Sequence, residues 1–318
     1  MDTAEKKKSS KTPTKIYFRH IFLIALFATL FFFYMGDGYY SHFFSYNRGL
    51  FAATEKIAKL KMPPIPFVKN AGSKPIITAQ GAYIVDTDSA TPVFSKNEHV
   101  RFFPASTAKI MTALVALDVY KPTQVLTVSH VITEGQVVGV VPGERIRVQE
   151  LLYGLLVHSG NDVAFVIADN YSGGRSAFVA RMNEKAQAIG MKDTHFENSA
   201  GLDNNNQYTT PFDLSLAGRK LLQNELLSTI VSTPNITISD VDFIHFHHLT
   251  NVNKLLGKIA GIGGLKTGYT EEAGENLVTF YKHDGHEFLI VIMKSADRFA
   301  DTEMIVNWIT QAVGYLSL

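Results

Sequence analysis

The sequence predicts an α+β fold, with strands at the two ends of the folded region and a mainly helical middle. Three observations predict it. Ala82–Asp86 and Pro92–Ser95 are short β-rich runs around the turn-rich stretch 86–91, the pattern of a hairpin. Asn276–Lys282 and Glu287–Lys294 are two more, joined by His283-Asp284-Gly285-His286, and Asp-Gly between such runs is a strong hairpin signal. Between these pairs lie apolar-periodic segments of helical length. Strands grouped apart from helices mark the α+β class.

The chain has 318 residues and 46% hydrophobic content, enough for one large core or two ordinary ones. Lys+Arg number 30 and Asp+Glu 29; six and two of these lie in the first 35 residues, leaving 24 against 27 beyond. That slightly acidic remainder gives no reason to expect nucleic acid as a partner. Ile21–Met35 carries no charge, and extending back to Ile16 gives 20 residues broken only by Arg19 and His20, about the length that crosses a bilayer. Basic residues precede this run, so the positive-inside rule keeps the tail cytoplasmic and exports the chain beyond Met35. Residues 36–40 offer no small-x-small cleavage site, which favours an uncleaved anchor over a signal peptide. The expected organisation is a basic cytoplasmic tail at 1–20, a transmembrane core at 21–35, a juxtamembrane segment with a proline-rich linker at 36–75, and a folded domain at 76–318. The chain has no cysteine, so neither disulfides nor thiolate metal sites hold that domain together.

After the first hairpin, Phe103-Pro104 leads into Ala105-Ser106-Thr107-Ala108-Lys109 and then a run apolar nearly all round, Ile110–Leu117. That pattern belongs to a helix buried inside a domain, and it ends before Pro122. Ser106 and Lys109 are three apart, neighbours on a helix surface. A Ser hydroxyl is a weak nucleophile without a base, and a Lys amine can serve if burial or a second cation lowers its pKa. Short β-rich runs come next, within 125–131 and 138–148. A helix at Gln149–Val157 delivers Ser159-Gly160-Asn161-Asp162, which taken alone reads first as a loop with capping residues. Helices are expected at Ser176–Ile189, closed by Gly190 as a C-cap, and at Pro211–Leu222. His245-Phe246-His247-His248 raises a zinc site, but its β-like alternation without nearby carboxylates favours a surface strand or loop, and no metal is expected. Gly261–Thr270 enters a strand whose glycines suit close approach of a ligand. Asp301–Val313 is a closing amphipathic helix.

Ser106-x-x-Lys109, Ser159-Gly160-Asn161 and Lys266-Thr267-Gly268 stand in this order, 53 and 107 residues apart at their first positions. Together they resemble the motif set of the penicillin-binding proteins and serine β-lactamases. The flanking Pro104-Ala105, Asp162, Asn198-Ser199-Ala200-Gly201-Leu202-Asp203, Tyr269-Thr270 and Arg298 narrow the resemblance to the low-molecular-mass D-alanyl-D-alanine carboxypeptidases, over residues 76–313. The resemblance implies a DD-peptidase/β-lactamase-like fold. Its antiparallel sheet is built from the first hairpin and the last three strands, flanked by N- and C-terminal helices, with a helical lobe over about 120–255.

The resemblance also implies roles. Ser106 attacks the carbonyl between two D-alanines of a peptidoglycan stem peptide, and Lys109 takes its proton. Ser159 relays a proton towards the leaving amine, and Asn161 holds the peptide's amide and helps to orient Lys109. Lys266 depresses the Lys109 pKa and, with Thr267, meets the terminal carboxylate. Gly268 and Tyr269 line the substrate strand, with the Ser106 and Tyr269 amides as oxyanion donors. β-Lactams are implied as covalent inhibitors, the bacterial cell membrane as the location, and no cofactor. A D,D-endopeptidase cutting crosslinks is the nearest alternative, with a β-lactamase using Glu197 and a catalytically dead peptidoglycan-binding scaffold behind it. Two departures stand out: Gly263-Gly264 where many relatives carry Asp-Gly, and Gln207-Tyr208 where relatives often have His and an aromatic.

Overall fold

A computed structural model of the chain describes residues 14–33, 63–70 and 72–316. Contacts divide it into two units, Met1–Lys61 and Met62–Leu318. In the first, α1 (Thr14–Phe33) presents exposed apolar side chains around its circumference, among them Phe18, Ile21, Phe22, Ile24, Phe27 and Leu30. Among the described residues, no helix is long and apolar enough to cross a membrane. Arg19 and His20 lie inside α1, leaving Ile21–Phe33 as its charge-free part among the described residues. Residues 1–13 of the expected tail and 36–62 of the expected juxtamembrane segment and linker lie outside the described residues.

In the second unit, residues 65–68 of the expected proline-rich linker form a strand. Strand β1 (Ile65–Val68) pairs antiparallel with β11 (Val313–Leu316), Ile65 opposite Leu316 and Val68 opposite Val313. The ends of the unit are thereby stitched together, and Tyr315 Oη donates to Asp86 Oδ2 at 2.6 Å.

The central sheet is five-stranded and antiparallel, in the order β3-β2-β10-β9-β8. Its strands are β2 (Gly81–Asp86), β3 (Pro92–Lys96), β8 (Ile262–Thr270), β9 (Gly274–His283) and β10 (His286–Ser295). This is the expected sheet: first hairpin plus last three strands. Alternate side chains point to opposite faces of a strand, so each central strand feeds two cores. Ala82, Ile84, Leu277, Ile290 and Ile292 pack with Ile305 and Ile309 of α8 (Arg298–Ala312) on one face. Tyr83, Val85, Val278, Leu289 and Val291 face the other core, which includes Leu214, Ala217 and Leu221 of α6 (Pro211–Leu222). Burial on both faces explains why β9 and β10 each hold six consecutive buried residues. The expected N-terminal flanking helix is corrected here: α6, from the middle of the chain, covers that face.

The helical lobe holds α2 (Lys109–Val119), α3 (Val148–Leu156), α4 (Asn161–Asp169), α5 (Gly174–Ala188), α6 and the short α7 (Glu225–Val231). Eight residues of α2, Lys109–Ala116, are buried. Two small hairpins complete the lobe: β4 (Val125–Thr127) with β5 (Arg145–Arg147), and β6 (Asn235–Ser239) with β7 (Phe246–Thr250). The histidine run lies at and within β7, and a carboxylate does stand beside it. His247 Nε2 and Glu144 Oε1 are 2.7 Å apart in a buried pair, and His248 Nδ1 and Thr237 Oγ1 are also 2.7 Å apart. Among the described residues no group of three or more metal-ligating side chains comes together.

Candidate active site

The segment ahead of α2 is held on three sides. Ala105 takes a positive φ of 48°, and Ala105–Ala108 form a 3-10 turn that runs into α2 at Lys109. In that geometry positions three apart eclipse one another more directly than in an α-helix. The Lys109 Nζ accordingly lies 2.9 Å from Ser106 Oγ. From β9, the fully buried Asn276 donates Nδ2 to Phe103 O (2.9 Å) and Pro104 O (3.1 Å), while its Oδ1 accepts from Lys294 N (2.8 Å). From the 198–202 loop, Gly201 at φ +82° approaches so closely that a Cβ would lie 1.9 Å from Ala105 O. On β8, a Cβ at Gly268 would lie 3.1 Å from Ser106 N, so strand backbone faces the nucleophile's own amide.

Lys109 is fully buried and has two further partners, Asn161 Oδ1 and Ala200 O, both at 2.7 Å. Asn161 opens α4, and its Nδ2 donates to Glu134 O at 2.8 Å. Ala200 belongs to a turn in which Asn198 Oδ1 accepts from the backbone N–H groups of Ala200, Gly201 and Leu202. Thr112 of α2 anchors the same turn by donating to Ser199 O at 2.7 Å. Ser159 sits at φ 67° with its side chain in the cavity and no hydrogen bond to it among the described residues. The Ser-Gly-Asn stretch is therefore more than a capped loop: one side chain reaches the amine of Lys109 and another stands free beside it.

Lys266, from the buried core of β8, is 1% exposed and donates Nζ to Thr267 O at 2.9 Å. Burial lowers the Lys109 amine to about 7, with Asp162 pulling the other way. Burial also pushes Lys266 well below the ordinary lysine value, helped by repulsion from Lys109 and from Arg298. The expected depression of Lys109 by Lys266 thus has a different leading cause. Desolvation disfavours the charged amine, and the two buried cations repel one another.

Ser106, Ser159, Asn161, Thr267, Gly268 and Tyr269 line one cavity of about 390 Å³, with Lys109 and Lys266 buried beside it. Its other walls are Glu134–Gln136, Gly201, Leu202, Val252, Thr270 and Arg298. Arg298 donates Nη1 to Gly268 O (3.0 Å), and its buried Nε has no hydrogen-bond partner. Glu197 lines a different cavity, with Phe165, Arg175 and Ser199, and its carboxylate meets His195 Nε2 at 3.0 Å. A cavity of about 310 Å³ beside Phe103 contains none of the predicted site residues.

All eight residues singled out from the sequence thus come together around one cavity. Sequence reading missed Asn276, the carbonyl of Ala200, and the 134–140 segment with the Asp162 carboxylate that receives it. An Asn inside the apolar strand 276–282 was the one available signal. Both departures have a structural account. At Gly263 a Cβ would lie 1.8 Å from the Phe280 ring, so the Asp of other relatives has no room. Gln207 is buried, accepting from Glu197 N (3.1 Å) and donating to Leu202 O (2.9 Å), and so braces the loop that carries Ala200.

The family profile described as D-alanyl-D-alanine carboxypeptidase matches residues 68–297. The chain is 34% identical over 227 residues to the D-alanyl-D-alanine carboxypeptidase DacF of Bacillus subtilis, covering 68% of this chain and 58% of that protein. It is 30% identical to a D-alanyl-D-alanine carboxypeptidase of Streptomyces sp. strain K15, covering 75% of this chain and 89% of the relative. The crystal structure of the Streptomyces K15 DD-transpeptidase superposes with a TM-score of 0.70 at 29% identity, over 74% of this chain and 98% of that one. The D-alanyl-D-alanine carboxypeptidase DacD from Francisella tularensis superposes at 0.71 and 26% identity, over 77% and 73%. The chain spans less than two thirds of the Bacillus protein but nearly all of the Streptomyces one. With its three motifs gathered on one cavity in that shared fold, the chain belongs to the D-alanyl-D-alanine carboxypeptidase family.

Proposed function

We propose that the chain is a serine acyl-enzyme D,D-carboxypeptidase that removes the terminal D-alanine from peptidoglycan stem peptides and is acylated by β-lactams. One observation carries the reading: Lys109 is buried and bonded so that its neutral form fits. A neutral amine has two N–H groups and one lone pair. Asn161 Oδ1 and Ala200 O take the two N–H groups, and the lone pair is left for the Ser106 hydroxyl at 2.9 Å.

Ser106 Oγ bonds to the penultimate D-Ala carbonyl carbon as its proton passes to Lys109 Nζ. The oxyanion is received by the Ser106 and Tyr269 amides, each such donor being worth roughly 10²–10³ in rate. The C–N bond then breaks as Ser159 relays the proton from Lys109 to the leaving D-Ala nitrogen; water, giving a proton to Lys109, attacks the acyl carbon, and Ser106 takes that proton back as the shortened peptide leaves. Lys266, Thr267 and Arg298 meet the terminal carboxylate, and Asn161 the peptide amide. Glu197 faces another cavity, which leaves the β-lactamase reading that uses Glu197 without support.

The test is a pair of measurements on the full chain. Wild type forms a covalent adduct with a fluorescent penicillin and releases D-alanine from a defined pentapeptide muropeptide, whereas Ser106→Ala does neither. Retention of either by the variant removes Ser106 from the role. Splitting of a muropeptide dimer without loss of terminal alanine assigns the endopeptidase activity instead.

In the same reading α1 is the core of a single-pass anchor, with the tail cytoplasmic and the catalytic unit on the peptidoglycan side of a bacterial membrane. It is supported by the exposed apolar side chains of α1 from Ile21 to Phe32 with the lysine-rich leader before it. Arg19 reaches the headgroups by snorkelling. Release of the full chain from membranes by alkaline carbonate refutes the anchor.

A further inference from the structure

The chemistry above gives no part to the buried carboxylate that acts on Lys109. Asp162, second residue of α4, is 1% exposed and has no cation partner among the described residues. Four backbone N–H groups converge on its carboxylate instead. Oδ1 accepts from Val163 (2.9 Å) and Val138 (3.0 Å), and Oδ2 from Gly139 (2.8 Å) and Val140 (3.3 Å). Such a ring of donors fills the acceptor positions of a buried carboxylate without a counter-ion. Three of the donors belong to the irregular segment 134–140, whose Glu134, Gly135 and Gln136 line the nucleophile's cavity. The adjacent Asn161 grips the same segment from the side, N to Gln136 O at 2.7 Å and Nδ2 to Glu134 O at 2.8 Å, while its Oδ1 receives Lys109.

We propose that Asp162 is a positioning residue for this site: its carboxylate fastens segment 134–140 as a wall of the cavity and, through Asn161, keeps Lys109 aligned on Ser106. The inference rests on the reading of the site as a serine acyl-transfer centre. The charged groups around Lys109 are Asp162 from α4, Lys266 from β8, Arg298 from α8 and, on the cavity wall, Glu134. Of these, Asp162 is the group that raises the Lys109 pKa against burial. Removing its charge therefore moves neutralisation of Lys109 to lower pH, an effect that loosening of the wall alone does not produce.

The experiment uses the full chain and measures the second-order rate of covalent labelling by a fluorescent penicillin across pH, with amide hydrogen exchange at residues 138–140. Asp162→Asn preserves shape, but a carboxamide turns one of its two atoms from acceptor to donor, against N–H groups that need an acceptor. Labelling is expected to slow ~10-fold or more through misalignment, exchange at 138–140 to quicken, and the acid limb of the pH profile to move to lower pH. Gly139→Ala strains the wall at φ +88° while leaving the carboxylate in place. It is expected to quicken exchange and slow labelling with the acid limb where wild type has it. An Asp162→Asn protein with a cooperative thermal transition that labels at the wild-type rate, or whose acid limb coincides with wild type, overturns the proposal. If that variant does not fold, Gly139→Ala decides alone: faster exchange with unchanged labelling overturns it. A wild-type chain that never labels refutes the acyl-transfer reading itself rather than the part given to Asp162.

Discussion

Replacing Lys109 by Arg keeps a cation on a long stem and removes the base, because a guanidinium stays protonated throughout the working pH range. Burial brings the Lys109 amine to about 7, so near pH 7 about half of the molecules hold it neutral. A lysine titrating at the usual ~10.4 would be neutral in about one molecule in 2,500. The site thus gains on the order of 10³ in usable base, and Lys109→Arg is expected to lose at least ~10³ in acylation rate. The unmodified chain offers a cleaner readout, since the variant also alters packing. Below the pKa the neutral fraction falls tenfold per pH unit, to about one in ten near pH 6 and about one in a hundred near pH 5. The sign comes from the deprotonated amine being the active form: acylation rises with pH through about 7 and then levels. Stopped-time labelling with a fluorescent penicillin, corrected for probe hydrolysis, measures it. A rate that stays flat from about pH 5 to 8 refutes a base at Lys109 with this pKa.

Other expectations concern how the site is braced. Gly201→Ala sets a Cβ against the Ala105 carbonyl at 1.9 Å and at φ +82°, so the 105–106 backbone must move; labelling is expected to fall at least ~100-fold, checked by adduct mass spectrometry. Asn276→Ala leaves Phe103 O, Pro104 O and Lys294 N without their partner and should cost about 2–4 kcal/mol, read as a lowered denaturation midpoint in urea. Tyr315→Phe removes the hydroxyl that reaches Asp86 and should cost about 1–2 kcal/mol, with labelling kinetics unchanged. Glu197→Gln is expected to leave release of the penicilloyl group within about twofold of wild type, because Glu197 is outside the cavity; a larger slowing would reopen the β-lactamase reading.

Much of the site was legible because its chemistry is carried by short runs. Ser106 and Lys109 are brought together by one turn of local backbone, and Lys266-Thr267-Gly268 lies in a strand visible from its flanking apolar residues. The hairpin at 82–95 and the Asp284-Gly285 turn come from short β-rich runs and turn chemistry. The elements that escaped were non-periodic or distant. Ile65-Pro66-Phe67-Val68 reads as a spacer because Pro63, Pro64 and Pro66 crowd the approach to Phe67, yet an edge strand tolerates proline. β11 is four residues long, too short to announce itself. Asn276 looks like the polar start of an apolar strand until its amide is seen spanning two carbonyls and an N–H.

The sequence by itself determined which side chains gather at the cavity and in what order, because Ser106, Lys109, Ser159 and Lys266 sit in segments whose local conformation their own residues dictate. Only the tertiary structure decided what surrounds the Lys109 amine. Its partners Asn161 Oδ1 and Ala200 O lie 52 and 91 positions away, and its pKa is lowered by burial within a core assembled from many elements. Desolvation and long-range hydrogen bonding depend on what surrounds a group in space, and no run of neighbours along the chain encodes that. The same reason hides the grip of Asp162 on segment 134–140 until the helix and the loop are packed together.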